Sequence, residues 1–81
     1  MNDKELKYML TIAEEGSIQK AALSLEKNPS SLSRAVQRVE KDLDITLFRR
    51  TPAGLVPTEE GMVYLAAAEE VLELYASLKQ G

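Results

Sequence analysis

One stretch of the chain, residues 28–42, combines short polar side chains with positive charges at the spacing of one helix face. The polar groups come first and the cationic groups follow, at Ser30, Arg34, Gln37, Arg38 and Lys41. Steps of three and four place these side chains on the same side of an α-helix. Serine and arginine can hydrogen-bond to the edges of DNA bases, and basic side chains bind phosphates. The pattern therefore predicts a helix, at about residues 29–42, that lies in the major groove of DNA.

The charge distribution supports a nucleic-acid partner even though the chain is acidic overall. The formal net charge is -3, which by itself disfavours binding to phosphates. Between residues 20 and 51, however, seven Lys and Arg outnumber four Asp and Glu, and both flanking segments are acidic. A local basic surface on an acidic body is what matters to a duplex. The acidic total therefore does not exclude DNA binding.

The composition excludes most enzyme chemistry and most bound groups. The chain contains neither cysteine nor histidine, which removes disulfides, thiolate and imidazole metal ligands, and Ser-His or Cys-His pairs. Adjacent carboxylates occur at Glu14-Glu15, Glu59-Glu60 and Glu69-Glu70. Neighbouring residues on a helix point about 100° apart, so such pairs form no acid/base dyad. We therefore expect no catalytic residue, no metal and no cofactor.

Capping residues and periodicity predict the elements that position the basic helix. A first helix begins after Asn2 and ends at Gly16, a second begins after Ser17, and a third begins at Asn28-Pro29. A buried stripe is expected on the third helix, at Leu32, Val36, Val39 and Leu43. Residues 47–57 then alternate and contain Pro and Gly, which is typical of a two-stranded hairpin. The predicted fold class is mainly α: a winged helix-turn-helix over residues 1–57, with a three-helix core and a two-stranded β-hairpin wing.

A long final helix is predicted over residues 58–81, where it begins at Thr58. Its apolar side chains recur at helical spacing, at Tyr64, Leu65, Ala68, Val71, Leu72, Tyr75 and Leu78. This stripe has two explanations, folding back on its own domain or pairing with the same helix of a second molecule. A helix of about 20 residues spans about 30 Å, which is longer than the small body it would cover. We therefore predict a linker and dimerisation helix whose dimer interface consists of these seven side chains.

Four collinear segments add a more specific signal. They are AEEGSIQKAA (13–22), NPSSLSR (28–34), VEKDLDITLFRR (39–50) and PTEEG (57–61). In order and spacing they resemble the successive signatures of the N-terminal DNA-binding domain of LysR-type bacterial transcription regulators. The resemblance covers nearly the whole chain. It implies a sequence-specific, dimeric double-stranded DNA-binding domain, an interrupted, AT-biased inverted repeat as its target, and a cytoplasmic, nucleoid-associated location.

The resemblance also assigns residues to parts of the DNA. It implies that Pro29, Ser30, Ser31 and Arg34, at the start of the third helix, lie at or near the bases, and that Asn28 is also a DNA-binding residue. Ser33 and Arg38 are then nearer the backbone. A phosphate-binding group is implied at the start of the second helix, where the helix N-terminus adds amide donors, with Ser17, Gln19 and Lys20. The wing is expected to bring Arg49, Arg50 and Thr51 to the flanking backbone or minor groove.

Several alternatives stay open at this point. Arg49 and Arg50 could pair with the acidic residues at positions 40, 42 and 44 instead of phosphates. The domain could also be a winged-helix protein-interaction module without DNA binding, which the acidic total charge would suit. The polar start of the chain lacks a secretory signal, and no stretch reaches the roughly 18 apolar residues of a membrane span. Because LysR-type proteins continue into an effector domain, we expect a truncated piece that does not bind the effector ligand.

Overall fold

The computed structural model describes residues 2–80 and follows the predicted order of elements. Within this range, four helices and one antiparallel pair of strands succeed one another. They are α1 (Asp3–Glu15), α2 (Ile18–Leu25), α3 (Pro29–Leu43), β1 (Phe48–Thr51), β2 (Gly54–Pro57) and α4 (Glu59–Gln80). The predicted fold class, a winged helix-turn-helix followed by a long helix, is confirmed.

Side-chain caps fix where the first three helices begin. In each case a side-chain oxygen accepts a hydrogen bond from a backbone amide of the first turn, which would otherwise lack a partner. The three bonds join Glu5 N to Asn2 Oδ1 (3.0 Å), Lys20 N to Ser17 Oγ (3.2 Å) and Ser30 N to Asn28 Oδ1 (2.9 Å). The predicted starts are therefore correct, and the start of α3 is set by Asn28.

One hydrophobic core joins all four helices to the base of the wing. Its fully buried large side chains include Met9 and Ile12 of α1, Leu32 of α3, and Leu47, which precedes β1. The small residues Ala21 and Ala22 of α2 are also buried. Small side chains let α1 and α3 approach α2 closely, which is the arrangement a helix-turn-helix needs.

The expectation that Leu43 completes the buried stripe of α3 is wrong. Leu32, Val36 and Val39 are buried as predicted, but Leu43 is 42% exposed. It is the last residue of α3 and lies past the end of the core, whereas Ile45 packs against the core after the helix has ended. Helical spacing alone does not show where the core stops.

The wing is a short antiparallel hairpin that is fixed to the turn between α1 and α2. Arg50 lies opposite Leu55, and Thr51 lies opposite Gly54. The Leu55 amide donates a hydrogen bond to the carbonyl oxygen of Gly16 at 2.9 Å. Gly54 has φ +117°, and a Cβ at this position would lie 2.7 Å from the Gly16 carbonyl oxygen. Glycine is therefore required at position 54 by both the backbone conformation and the close approach.

A second set of contacts ties the wing to α3 and α4. The backbone amide of Thr58 donates to the Leu47 carbonyl at 2.9 Å, and Thr58 Oγ1 accepts from the Gly61 amide at 2.9 Å. The Thr58 hydroxyl also donates to the carbonyl of Thr46. On the other side, a carboxylate oxygen of Glu40 accepts from the Leu47 amide at 2.7 Å. A Cβ on Gly61 would overlap the Leu47 carbonyl oxygen, so glycine is required at this position in the first turn of α4.

The long helix α4 has a packed first half and an uncovered second half. It comprises 22 residues, and its N-terminal part packs against α1. Residues 73–79 are all exposed, and the longest dimension of the molecule is 43 Å. Throughout residues 2–80, no helix has an apolar stretch long enough to cross a membrane.

Candidate nucleic-acid interface

The N-terminal end of α3 presents an uncovered polar surface. Pro29 occupies the first helical position, where a missing amide hydrogen loses no bond. Pro29, Ser30, Ser31 and Arg34 are all exposed, whereas Ser33 is half-buried. Neither α1 nor α4 covers this end of the helix. The side chains predicted to lie at bases are therefore free to contact a second molecule.

A cleft of about 500 Å³ separates the starts of α2 and α3 from the wing. Six of the predicted DNA-binding residues line it: Ser17, Gln19, Pro29, Ser33, Arg50 and Thr51. They come from three segments that are far apart in the sequence. Arg49 precedes Arg50 in β1, so its side chain points to the other face of the hairpin. The fold thus brings predicted residues from α2, α3 and the wing to one cleft, whereas Arg49 lies on the opposite face of the wing.

Three arginines of α3 and the wing have no acidic partner in the described part of the chain. Arg34, Arg49 and Arg50 are exposed, and no carboxylate of residues 2–80 lies within ion-pair distance of them. The alternative pairing of Arg49 and Arg50 with acidic residues 40–44 is not formed, and Glu40 instead binds the Leu47 amide. No three carboxylates among these residues are placed to hold a metal ion. These arginines therefore carry positive charges that no carboxylate of residues 2–80 neutralises.

The hydroxyl of Thr51 has a structural role that the sequence-based assignment missed. It donates to the Gly54 carbonyl at 2.7 Å and accepts from the Ala53 amide at 3.2 Å. Its hydrogen is therefore used inside the wing turn, which Thr51 closes, and a contact of Thr51 with DNA stays a prediction. The segment Thr-Pro-Ala-Gly indicated this role, because a threonine hydroxyl in a turn commonly hydrogen-bonds to the backbone of the residue two positions later.

Arg38 differs from the other arginines because it has a partner in the protein. Its Nε donates to Glu5 Oε2 at 2.9 Å, and the two side chains are 59% and 12% exposed. Arg38 is therefore neither packed inward nor covered by α4. Glu5 was not among the predicted site residues, because it lies 33 positions away in the sequence and no local pattern connects the two.

The predicted dimer interface divides between two different surfaces. Tyr64, Leu65 and Ala68 are buried in the core of the chain's own domain, and Leu72 packs partly against that core. Val71, Tyr75 and Leu78 remain exposed. The first explanation therefore holds for the first half of α4, which folds back on α1, whereas pairing of the uncovered second half with another molecule stays a prediction.

A second apolar stripe of α4, which helical periodicity alone does not separate from the first, lies about 110° around the helix from the buried one. It consists of Val63, Ala67, Val71, Leu74 and Leu78 and is called the outer stripe below. Four of its five side chains are large, exposed and apolar. Beside it runs an apolar groove of about 610 Å³, whose other wall includes Leu6, Leu43 and Ile45.

Tyr64 lies at the floor of this groove with its hydroxyl buried. The side chain is 7% exposed, and the hydroxyl oxygen has no hydrogen-bond partner in the described part of the molecule. Burial, together with the negative charge of Glu5, raises the pKa of Tyr64 to about 12. The phenol is therefore neutral at physiological pH.

The protein is a winged helix-turn-helix domain. In it, α2 and α3 form the helix-turn-helix, the start of α3 is polar and exposed, and the cationic hairpin of β1 and β2 borders the same cleft. Residues 4–62 match the family model described as bacterial regulatory helix-turn-helix protein, lysR family. The chain belongs to this family. The matched relatives are named transcriptional regulators and not enzymes, in agreement with the composition.

Similar proteins and structures extend over nearly the whole chain. The transcriptional regulator GltR of Bacillus subtilis is 39% identical over 72 residues, which are 89% of this chain and 24% of that protein. The crystal structure of a CbnR_DBD–DNA complex has a TM-score of 0.92 at 31% identity, covering 99% of this chain and 92% of that one. The BenM_DBD/catB site 1 DNA complex has a TM-score of 0.92 at 30% identity, covering 99% and 86%. The chain spans about a quarter of the length of the curated relatives it matches.

Proposed function

We propose that this chain is the double-stranded DNA-binding domain of a LysR-type transcription regulator and that it acts as a dimer. The observation that carries the proposal is the exposed start of α3, with Ser30, Ser31 and Arg34, beside a wing whose arginines pair with no carboxylate of residues 2–80. This is a surface with both base-reading and phosphate-binding groups. Solved DNA complexes of similar domains support the same conclusion.

In this proposal α3 lies in the major groove. Arg34 contacts a base edge, for which the bidentate geometry of guanidinium with guanine is the commonest arrangement. Asn28, Pro29, Ser30 and Ser31 lie at the same end of the helix, where small side chains let the backbone approach the bases. Because Asn28 caps α3 with its carbonyl oxygen, its amide nitrogen is the group left for DNA.

The remaining contacts are with the backbone. The amide end of α2 and the side chains of Ser17, Gln19 and Lys20 bind one phosphate group, since a helix N-terminus favours anions. Ser33 faces the cleft near the backbone, and the wing brings Arg49 and Arg50 to flanking phosphates or the minor groove. These contacts set affinity and register but carry no base information.

The outer stripe of α4 pairs two copies. Its large apolar side chains are uncovered in one copy, and a helix face of this kind is stabilised by burial against another apolar surface. A twofold dimer presents two α3 helices to two half-sites, so its target is an interrupted inverted repeat. Residues 58–81 then form a linker and dimerisation segment after a DNA-binding unit of residues 1–57. The location in this proposal is the cytoplasm, on the nucleoid, with an AT-biased target.

A salt titration tests the proposal. We expect the chain to bind random-sequence duplex DNA with an affinity that falls as salt rises, by a logarithmic slope of about −0.9 for each phosphate contacted. Lys20→Ala should lower the slope by about 1 for every sequence. Lys79→Ala is the matched control, because it removes a cation at the far end of α4.

Two results would contradict the proposal. Absence of binding at low salt would favour the protein-interaction module. Equal effects of the two lysine substitutions would show that net charge, rather than the surface formed by α2, α3 and the wing, controls binding.

A further inference from the structure

The ion pair between Arg38 and Glu5 connects the DNA-facing side of α3 with the first turn of α1. Arg38 follows Arg34 by one helical turn and lies on the outward face. The bond is made through Nε alone, at 2.9 Å. A guanidinium has five N–H donors, so the four on its two terminal nitrogens are not used by this contact.

Glu5 is the fixed member of the pair. Its side chain is only 12% exposed, compared with 59% for Arg38. It stands in the first turn of α1, where the helix dipole favours a carboxylate and where its backbone amide binds the Asn2 side chain. The half-buried carboxylate therefore determines where the more exposed arginine is held.

We propose that Glu5 is a positioning residue for DNA binding, which holds the Arg38 guanidinium by its Nε so that the two terminal nitrogens face a backbone phosphate. This inference rests on the proposed function. Ordering a long side chain on binding has an entropy cost, and an arginine that is already ordered loses less. Glu5 thus raises DNA affinity without touching DNA.

The opposite role, in which Glu5 withholds Arg38 from DNA, agrees less well with the geometry. A single contact to a largely exposed arginine is a weak ion pair. Binding through Nε leaves the outer edge of the guanidinium, formed by its terminal nitrogens, for a second anion. Arginine can therefore bridge the carboxylate and a phosphate at the same time.

The test compares substitutions at position 5 with a control in the same helical turn. Glu5→Ala removes both the charge and the acceptor, whereas Glu5→Gln removes the charge and keeps an oxygen that can accept from Nε. Asp3→Ala is the control, because it removes one carboxylate from the first turn of α1 without touching Arg38. Each variant is made in the wild-type and in the Arg38→Ala background, and its affinity for a fixed duplex is measured at several salt concentrations.

We expect Glu5→Ala to bind about twofold to tenfold more weakly than Asp3→Ala, the range given by the ordering of one long side chain. Glu5→Gln should restore binding to within about twofold of that control, on the same scale. In the Arg38→Ala background, Glu5→Ala and Asp3→Ala should be equal. Thermal unfolding of every variant checks that each remains folded.

Three outcomes would overturn the inference. Tighter binding by Glu5→Ala than by Asp3→Ala would show that Glu5 withholds Arg38. An equal loss in both backgrounds would show an effect that does not pass through Arg38. Equal losses for Glu5→Ala and Glu5→Gln would show that the charge, rather than the orienting bond, matters. Failure of the wild-type chain to bind DNA would instead overturn the proposed function as well.

Discussion

Gly54→Ala should be strongly destabilising, because this position combines an unusual backbone conformation with a very close contact. Its φ of +117° lies in a region that is nearly restricted to glycine. The added methyl group would also lie 2.7 Å from the carbonyl oxygen of Gly16, which is backbone and cannot turn away. To relieve the clash, β2 must move off the turn between α1 and α2, and the bond from Leu55 N to Gly16 O then breaks.

The expected magnitude follows from these two effects. The backbone strain is worth about 1–3 kcal/mol. Leaving a half-buried amide or carbonyl without its hydrogen bond costs about another 1–3 kcal/mol. The free energy of unfolding of a domain of 81 residues is about 4–12 kcal/mol, so the substitution removes a large part of it.

Gly16→Ala is the matched control, since it separates strain from the clash. Gly16 also has positive φ, +68°, but a Cβ there would meet its nearest atom, the Leu55 carbonyl oxygen, at an ordinary 3.7 Å. Gly16→Ala should therefore lower the free energy of unfolding only by the strain of a left-handed backbone conformation, about 1–2 kcal/mol. Urea unfolding of both variants and of the wild type gives the loss in the free energy of unfolding for each substitution. A Gly54→Ala value equal to or below that of Gly16→Ala would refute the claim that the wing is held against Gly16.

Two further predictions concern α4. The folded-state pKa of Tyr64, about 12, lies above the ordinary value of 10.0. The contribution of Tyr64 to the free energy of unfolding is therefore fully present below pH 10 and is lost as the pH rises from 10 through 12. Tyr64→Phe should abolish that alkaline loss and leave the thermal midpoint at pH 7 unchanged or higher, because the hydroxyl has no hydrogen-bond partner among the described residues; a lower midpoint at pH 7 would contradict this. Leu74→Glu, on the outer stripe, should give a folded monomer in analytical ultracentrifugation. Met62→Glu, at 59% exposure on another face, should leave the proposed dimer intact, and equal behaviour of the two variants would contradict pairing through the outer stripe.

The start of each helix and the position of the wing were predictable because their signals are local. Asn28 and Pro29 together specify a cap and a first helical residue, and the structure contains both. The order of helix, helix, helix, hairpin and helix follows from such signals and from hydrophobic periodicity. The exposed face of α3 was predictable for the same reason, since periodicity assigns Leu32 and Val39 to the core and leaves Arg34 outside.

Features that depend on contacts distant in sequence were not predictable. The partner of Arg38 is on another helix, and nothing near either residue specifies the pair. Periodicity also could not divide the apolar residues of α4 into a buried and an exposed stripe. Tyr64 and Val71 belong to different stripes, but they lie close together on a helical projection. Only the position of α1 shows that Tyr64 is buried in one chain while Leu74, at 64% exposure, is not.

Selection of bound sequences from a random DNA pool, performed in parallel with the wild-type chain and Arg34→Ala, tests most directly whether the outward face of α3 reads DNA. We expect the wild type to enrich two half-sites related as an inverted repeat. The variant should lose preference at the same one or two base pairs of each half-site and keep the rest, with a loss of about 1–3 kcal/mol for the wild-type sequence. Enrichment of identical sequences by both proteins, or of none by the wild type, would contradict the account.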